Sequence, residues 1–326
     1  MKFNKIQDII QRDLATVYAT YPKLPLILKA IEADEGHAYF VGGMVRDMLI
    51  GLPIKDIDIE VHGLTEEQLA QILQKFGHVD LVGKSFGVLK VHGIDIDWSL
   101  PRKDSSGRKP TVEIDPHMPI DQALARRDVA VNAMAIHATS QMLIDPFNGL
   151  QDIEDGVLRS PNIDFFSQDP LRFFRIMAFI SRLEMYPDLV LHTLCTTMPI
   201  ESVSRERIEQ EFAKMLLRSK RPSLGIRWLK QIGRLKELLP ELAATVGVEQ
   251  SPKWHPEGDV FEHSMQALDA AAQLEYASDE EKLTILYAAL CHDLGKQQQR
   301  NIRLRAFAVM GMSKQGSHLH VQCSNA

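Results

Sequence analysis

The run Ile54-Lys-Asp-Ile-Asp-Ile-Glu-Val61 alternates acidic and apolar side chains from Asp56 onward. On a β-strand successive side chains face opposite ways, so Ile57, Ile59 and Val61 line one face and Asp56, Asp58 and Glu60 the other. Such a strand needs a hydrophobic layer on one side only. Its other side carries carboxylates roughly 6–7 Å apart. Like charges at that spacing repel unless water or a cation screens them, and Asp is a poor strand former. The acidic face is therefore either solvated or a seat for a divalent ion.

Gly93-Ile-Asp-Ile-Asp-Trp98 repeats the device. Asp95 and Asp97 share one face, and Ile94, Ile96 and Trp98 the other. If the two strands are neighbours, a cluster of three carboxylates can hold two Mg2+ ions, which favour carboxylate oxygens plus substrate phosphates. Two such ions can clamp the attacking and leaving oxygens of an in-line phosphoryl displacement.

With 326 residues, 45% of them hydrophobic and 25% charged, the chain has the material for about two soluble globular domains. Collagen-like, low-complexity and disordered classes are excluded. No apolar run approaches the ~20 residues that cross a bilayer. Asp8, Arg12 and Asp13 interrupt the N-terminal apolar stretch, which is not the pattern of a signal peptide. Cys195, Cys291 and Cys323 are far apart, with no C-x-x-C, so neither a disulfide framework nor a zinc knuckle is expected, and the cytoplasm is the expected location. A net charge of −6 leaves room only for a local basic groove.

The fold class read from the pattern is α+β. Residues 1–37 form a helical extension of one or two helices, with Ile6, Ile9 and Ile10 and then Leu24 to Ile31 at helical spacing. Residues 38–155 form a mixed α/β head. Its strands are Ala38–Val41, Ile57–Val61, Gly87–Val91 and Ile94–Trp98, with a helix at Thr65–Phe76 and a mobile loop over Arg102–Pro119. Residues 156–250 form an all-helical neck and body, with helices at Pro170–Leu183, Ser204–Leu217 and Ser223–Ile232. Residues 251–326 form a last segment with helices at Val260–Leu274 and Lys282–His292.

Upstream of the acidic strand lies Phe40-Val-Gly-Gly-Met-Val-Arg-Asp47: a strand end, two glycines and a helix start. That turn exposes backbone N–H groups to an anion. A Gly-Gly turn followed about ten residues later by Asp-x-Asp resembles the class II tRNA nucleotidyltransferases, or CCA-adding enzymes, and the related bacterial poly(A) polymerases. The resemblance covers roughly residues 38–296. It includes Lys55-Asp56-Ile-Asp58, Arg126-Arg127-Asp128 with Asn132, Asp145-Pro-Phe-Asn-Gly149, Asp169-Pro-Leu-Arg172-Phe-Phe-Arg175 and Ser204-Arg-Glu-Arg207-Ile-Glu. It implies a nucleotidyltransferase head like that of DNA polymerase beta, with Asp56 and Asp58 on catalytic Mg2+ and Asp97 as the third carboxylate. It further implies that Gly43, Arg46, Arg126, Arg172 and Arg175 contact the nucleotide.

Asp169, Arg172 and Arg175 recur at i, i+3 and i+6 on one helical stripe. Asp only accepts hydrogen bonds and Arg only donates them. Cytosine and adenine each place an amino donor beside a ring-nitrogen acceptor, whereas uracil and guanine reverse that order. Such a stripe suits CTP and ATP, with discrimination of about 1–3 kcal/mol per bidentate pair. Where the family carries Glu before this Asp, the chain has Gln168. One of Arg126 and Arg127 is expected on the triphosphate and the other in a structural pair with a carboxylate. Residues 202–236 carry ten Lys and Arg against few acids, which suits a groove for a tRNA acceptor stem and equally a solvated helical face.

Trp254-His-Pro-Glu-Gly-Asp-Val-Phe-Glu-His263 and Leu290-Cys-His292-Asp293-Leu-Gly-Lys296 resemble the start of an HD-type phosphohydrolase domain. That resemblance makes His263, His292 and Asp293 ligands of a transition metal at an incomplete site. After Lys296 the pattern ends. Reverse translation of 308–318, shifted by one base, restores a His-x-His-Glu segment of the family type, so a frameshift near Phe307 is expected, with His318 and His320 accidental. The expected function is template-independent addition of CMP and AMP to the 3′ end of tRNA. The alternatives are poly(A) synthesis, addition of C or A alone, and HD-type phosphohydrolysis.

Overall fold

A computed structural model describes residues 3–82, 88–104 and 112–296. Its strands are β1 (His37–Val41), β2 (Asp58–His62), β3 (Val79–Val82), β4 (Val88–Val91), β5 (Ile94–Ser99), β6 (Arg102–Asp104), β7 (Val112–Ile114), β8 (Ala135–His137) and β9 (Leu143–Ile144), with a short parallel pair β10 (Val157–Leu158) and β11 (Tyr186–Pro187). Among the described residues, seven form one mixed sheet in the order β3-β4-β5-β2-β1-β8-β9, in which β2 and β5 are the parallel pair.

Period-two patterning gives this sheet one dry face. Phe40, Ile59, Val61, Leu89, Ile96, Trp98 and Ile136 are all buried in a single core. The helices packed in that core are α1 (Phe3–Thr20), α2 (Leu24–Ala33), α3 (Gly43–Leu49) and α4 (Glu66–Gln74). In α1, Ile6, Ile10, Leu14 and Val17 recur every three or four residues and are buried; Leu24, Ile27, Leu28 and Ile31 do the same in α2. Residues 1–36, whose place the sequence left open, thus cover the core side of the sheet. Thr65 and Gln68 close the N-terminus of α4 as a reciprocal capping box.

Three expectations are corrected. The acidic strand begins at Asp58, and Asp56 lies in the exposed lead-in. The reason is the neighbours: the ladder with β1 ends at Phe40↔Ile59, and that with β5 starts at Asp58↔Asp97. Both ends of the expected loop 102–119 are structured. β6 and β7 pair antiparallel from Arg102↔Ile114, and Lys103 reaches Asp115 at 2.7 Å. Residues 105–111 of that loop lie outside the described residues.

The boundary expected near 155 also falls elsewhere. Two compact units divide the described residues: those up to 173 with 185–202, and 174–184 with those of 203–296. The pairing of β10 with β11 holds 156–158 and 186–188 in the first unit. That unit also contains α5 (Ile120–Ala125), α6 (Gly149–Asp155), α7 (Ile163–Ser167) and α9 (Leu189–Thr197), while α8 (Leu171–Leu183) starts in it and runs into the second. In the second unit, α10 (Arg205–Arg218), α11 (Ser223–Gln231), α12 (Leu235–Leu238), α13 (Pro240–Ala243), α14 (Val260–Ala272) and α15 (Asp279–Cys291) follow in order. Here the expected break near 250 is bridged. Asp269 accepts from the N–H and hydroxyl of Ser223, and Lys282 donates to the Leu217 carbonyl.

Asp152 on α6 is fully buried, with Arg159 2.9 Å away. Burial pushes its carboxyl up to about 6; Arg159 pulls back, and Asp188 and Asp145 add to the rise. Such an acid binds its proton more tightly folded than unfolded. Its contribution is complete below the unfolded pKa near 4 and is lost as pH rises through about 6. The rise corresponds to at most about 3 kcal/mol. We expect Asp152→Asn, compared with the parent in chemical unfolding at pH 4 and pH 7, to flatten that part of the pH dependence. An unchanged slope would remove Asp152 as its source.

Candidate active site

The face opposite the core gathers polar residues from five strands. Asp58, Glu60 and His62 alternate on β2; Asp58 sits opposite Asp97 of β5, and Glu60 sits between Tyr39 of β1 and Ser99 of β5. Lys90 of β4 is the register partner of Asp97 and reaches its Oδ1 at 2.7 Å. His137 of β8 stands beside Tyr39. The parallel pairing of β2 and β5 is what brings together two acids 39 positions apart in the chain.

Asp58 is half-buried. Burial raises its carboxyl above the usual range; Arg127 opposes this, and Asp97 and Asp56 reinforce it. A carboxyl lifted by burial and by two like charges is one that a bound cation would relieve. Asp58 and Asp97 face each other across adjacent strands and offer the oxygen donors a hard divalent ion takes, with Asp97 Oδ1 paired with Lys90.

At the end of β1 the chain turns at Gly42, with φ +75° and ψ −136°, a conformation essentially reserved for glycine. A Cβ there would lie 2.6 Å from Arg127 Nη1 and 3.8 Å from Asp58 Oδ2. The turn, the acid and the arginine therefore meet at one point. Arg46 is nearly fully buried on α3. Its guanidinium donates to Asp47 at 2.7–2.8 Å and to Asn132, whose side-chain amide donates to Asp128 at 3.0 Å. Its Nη2 also lies 3.4 Å from where a Gly43 Cβ would stand. The motifs Arg46-Asp47 and Asp128 with Asn132 thus brace the glycine turn against the segment after α5.

The arginine pair resolves by direction. Arg126 turns its guanidinium toward the Phe165 ring, 5.8 Å from the centroid, while Arg127 turns toward Gly42 and Asp58. The resemblance implies Arg126 as a nucleotide contact, and the residues themselves left the two arginines open; Arg127 is the one that lies beside Gly42 and Asp58. The carbonyl of Arg126 accepts from Arg172 Nη2 at 2.8 Å, and Arg172 Nη1 donates to the Phe165 carbonyl at 2.9 Å. Asp169 caps the start of α8, accepting from the Leu171 N–H at 3.1 Å. Arg175 follows on α8 in the second unit, with its guanidinium 5.4 Å from the Phe179 ring centroid.

Several cations of the basic neck are engaged within their own unit. Arg205 pairs with Glu209, Lys214 with Glu211, Arg227 with Glu262 and Arg234 with Glu237. Of these, Arg205–Glu209 is an exposed i,i+4 pair, worth only about 0.3–0.5 kcal/mol and so open to exchange for phosphate.

In the second unit His263, His292 and Asp293 converge. Asp293 Oδ2 lies 3.6 Å from His263 Nε2, 3.4 Å from His292 Nε2 and 2.6 Å from Lys296 Nζ. Sequence reasoning missed two neighbours, His255 and Glu257: Glu257 Oε1 accepts from His263 Nδ1 at 2.6 Å and lies 3.1 Å from His255 Nδ1. Hydrogen bonds from its own backbone, from His255 and from His263 draw the Glu257 carboxyl down to about 2. The tail assigned to a frameshift, with His318 and His320, lies outside the described residues.

Comparison with known proteins bears on these sites. A family model described as the poly A polymerase head domain matches residues 38–159, and one described as a probable RNA and SrmB-binding site of polymerase A matches residues 196–245. A "Multifunctional CCA protein" of Methylobacillus flagellatus is 38% identical over 269 residues, and one of Mannheimia succiniciproducens 35% identical over 271. Each match covers 79% of this chain and 62% of the relative, so the chain spans about three fifths of the length of these relatives. The solved structure of a CCA-adding enzyme with CTP matches with a TM-score of 0.56 at 25% identity, covering 86% of this chain and 70% of that one. Among the described residues no helix is long and apolar enough to cross a membrane.

Proposed function

Because the chain belongs to the class II CCA-adding enzyme and poly(A) polymerase family, we propose that it adds CMP and AMP from CTP and ATP to the 3′ end of tRNA without a nucleic-acid template. The observation that carries this is the Asp58↔Asp97 pair on adjacent strands, beside a glycine turn that Arg127 faces. Asp56, Asp58 and Asp97 would hold a divalent cation, Mg2+ by the character of the donors. That ion supplies neutralisation of phosphate charge and a more acidic 3′-hydroxyl. The Gly42-Gly43 turn and Arg127 orient the triphosphate, and Arg46 keeps the turn in place. Asp169 and Arg172 read the base edge, and Arg175 follows on the same helix. Holding nucleotide and RNA end in line contributes much of the rate. Basic residues of α10 and α11 supply phosphate contacts to the tRNA.

The test is incubation of trimmed tRNA with each labelled nucleotide separately, with divalent ion present. Incorporation from CTP and ATP, and not from UTP or GTP, is expected. Long tails from ATP alone would establish poly(A) synthesis instead, and incorporation of one nucleotide only would mean a C-adding or A-adding enzyme.

A second reading attaches to the histidine cluster. The convergence of His263, His292 and Asp293 suits a transition metal and a phosphohydrolase. Release of phosphate without incorporation would favour it over nucleotidyl transfer.

A further inference from the structure

Lys90 stands in the middle of a row of charged side chains that crosses four neighbouring strands, and the reaction proposed above gives it no part. On β4 it is the register partner of Asp80 on β3 and of Asp97 on β5, and Asp97 is in turn the partner of Asp58 on β2. Register partners point to the same face, with Cβ atoms roughly 4.5–5.5 Å apart. The order across the sheet is therefore acid, lysine, acid, acid. Lys90 has a carboxylate on either side and is bonded to the inner one, with Nζ 2.7 Å from Asp97 Oδ1. Asp80, the outer one, lies 3.4 Å from His78 Nε2 and 3.7 Å from His92 Nδ1.

An ammonium and a divalent ion cannot share Asp97 Oδ1. The ammonium bonds to such an oxygen at about 2.7–2.9 Å and Mg2+ at about 2.0–2.1 Å, and the two positive charges repel. The Lys90 and Asp97 side chains are 42% and 39% exposed, and a lysine so exposed carries its charge at neutral pH. An ion pair in that setting adds little net stability and is readily broken. The stem of Lys90 is flexible, and Asp80 offers a released ammonium another carboxylate. Lys90 also marks one side of the site. In the sheet order β4-β5-β2-β1, Asp58 lies between Asp97 and the Gly42 turn that follows β1. Lys90 is thus on the edge of the acid pair away from the turn that Arg127 faces.

We infer that Lys90 is the resident counter-ion of the cation seat: it holds Asp97 until a divalent ion takes that oxygen, and its displacement sets the ion concentration the site needs. The inference rests on the nucleotidyl-transfer reading, in which Asp58 and Asp97 seat the ion. Lys90 is then a positioning residue that acts through Asp97. Its loss should tighten ion binding and leave nucleotide binding alone, because the triphosphate is oriented on the far side of Asp58.

The experiment measures Mn2+ binding to the full chain by electron paramagnetic resonance, with the metal alone, and separately the KM for CTP and for ATP on trimmed tRNA at saturating divalent ion. Mn2+ takes the same oxygen donors as Mg2+. The comparison covers the parent, Lys90→Gln, Lys90→Arg, Asp97→Asn and the double variant Lys90→Gln with Asp97→Asn, with thermal melting of each. Lys90→Gln is expected to lower the Mn2+ Kd about fivefold, with both KM values within about twofold of the parent. Lys90→Arg keeps the charge and a donor, and should bind Mn2+ within about twofold of the parent. On the Asp97→Asn background, Lys90→Gln should change the Kd by less than about twofold, because the carboxylate in dispute is gone. If Asp97→Asn binds too weakly for a Kd, the rise in melting temperature at one fixed Mn2+ concentration is compared instead. If Lys90→Gln does not fold, Lys90→Thr takes its place. A parental Kd in Lys90→Gln would overturn the inference. So would an equal fivefold gain on the Asp97→Asn background, which would reduce Lys90 to one charge among many. Either result with an active parent sinks the inference alone; a parent that incorporates neither nucleotide sinks the transfer reading and the inference with it.

Discussion

Asp58→Ala is expected to lose about a thousandfold or more in nucleotide incorporation while melting within about 3 °C of the parent. A thousandfold is about 4 kcal/mol of barrier, a reasonable share for one of the acids that seat a catalytic cation. The small effect on melting follows from the direction of the Asp58 acidity. Burial, Asp97 and Asp56 lift its carboxyl, so the ionised group at neutral pH costs the fold stability. Removing it relieves that repulsion and opens no cavity in the core, because Ile57 and Ile59 fill the other face. Ile59→Ala provides the contrast: a fully buried side chain lost from the same strand should cost about 2–5 kcal/mol. Near-parental incorporation by Asp58→Ala would place the chemistry away from β2.

Gly42→Ala should lower incorporation at least about a hundredfold and destabilise the fold by about 2 kcal/mol. Two effects combine. The backbone at φ +75°, ψ −136° is strained for any L side chain, at roughly 1–3 kcal/mol. The new Cβ would also fall 2.6 Å from Arg127 Nη1, and the guanidinium must leave. Gly51→Ala separates the two. Gly51 has φ +73° with nothing within 4 Å of a Cβ, so it pays backbone strain alone. We expect Gly51→Ala to melt lower and keep its activity. Equal activity losses in the two variants, measured after correction for the folded fraction, would show that the displaced arginine is unimportant.

The candidate site was partly legible in the sequence because strand geometry is strict. Ile57, Ile59 and Val61 had to be buried together, and they are; Ile94, Ile96 and Trp98 follow the same rule. The two acidic rows were therefore visible before any neighbour was known. The helices at Thr65, Ser204 and Ser223 were also legible, each within a few residues, because apolar spacing, and at Thr65 a cap, are local signals. The length of β2 was not. Asp56 has the composition of its neighbours, and only the ends of the flanking ladders exclude it from the strand. Arg126 and Arg127 are chemically identical and adjacent, so composition could not assign their directions. The turn after α5 sends one toward Phe165 and the other toward Gly42.

Local chemistry by itself determined the alternating acids, the glycine turn before them and the helical stretches, since each depends on side-chain period or a backbone torsion within a few residues. Only the tertiary structure decided which acids became partners, which arginine faced them, and what covered the far side of the sheet. Asp58 meets Asp97 because β2 and β5 run parallel, and the dry face is closed by helices from residues 3–33. Those outcomes depend on burying one continuous apolar surface across segments distant in the chain, a condition that no short window of sequence contains.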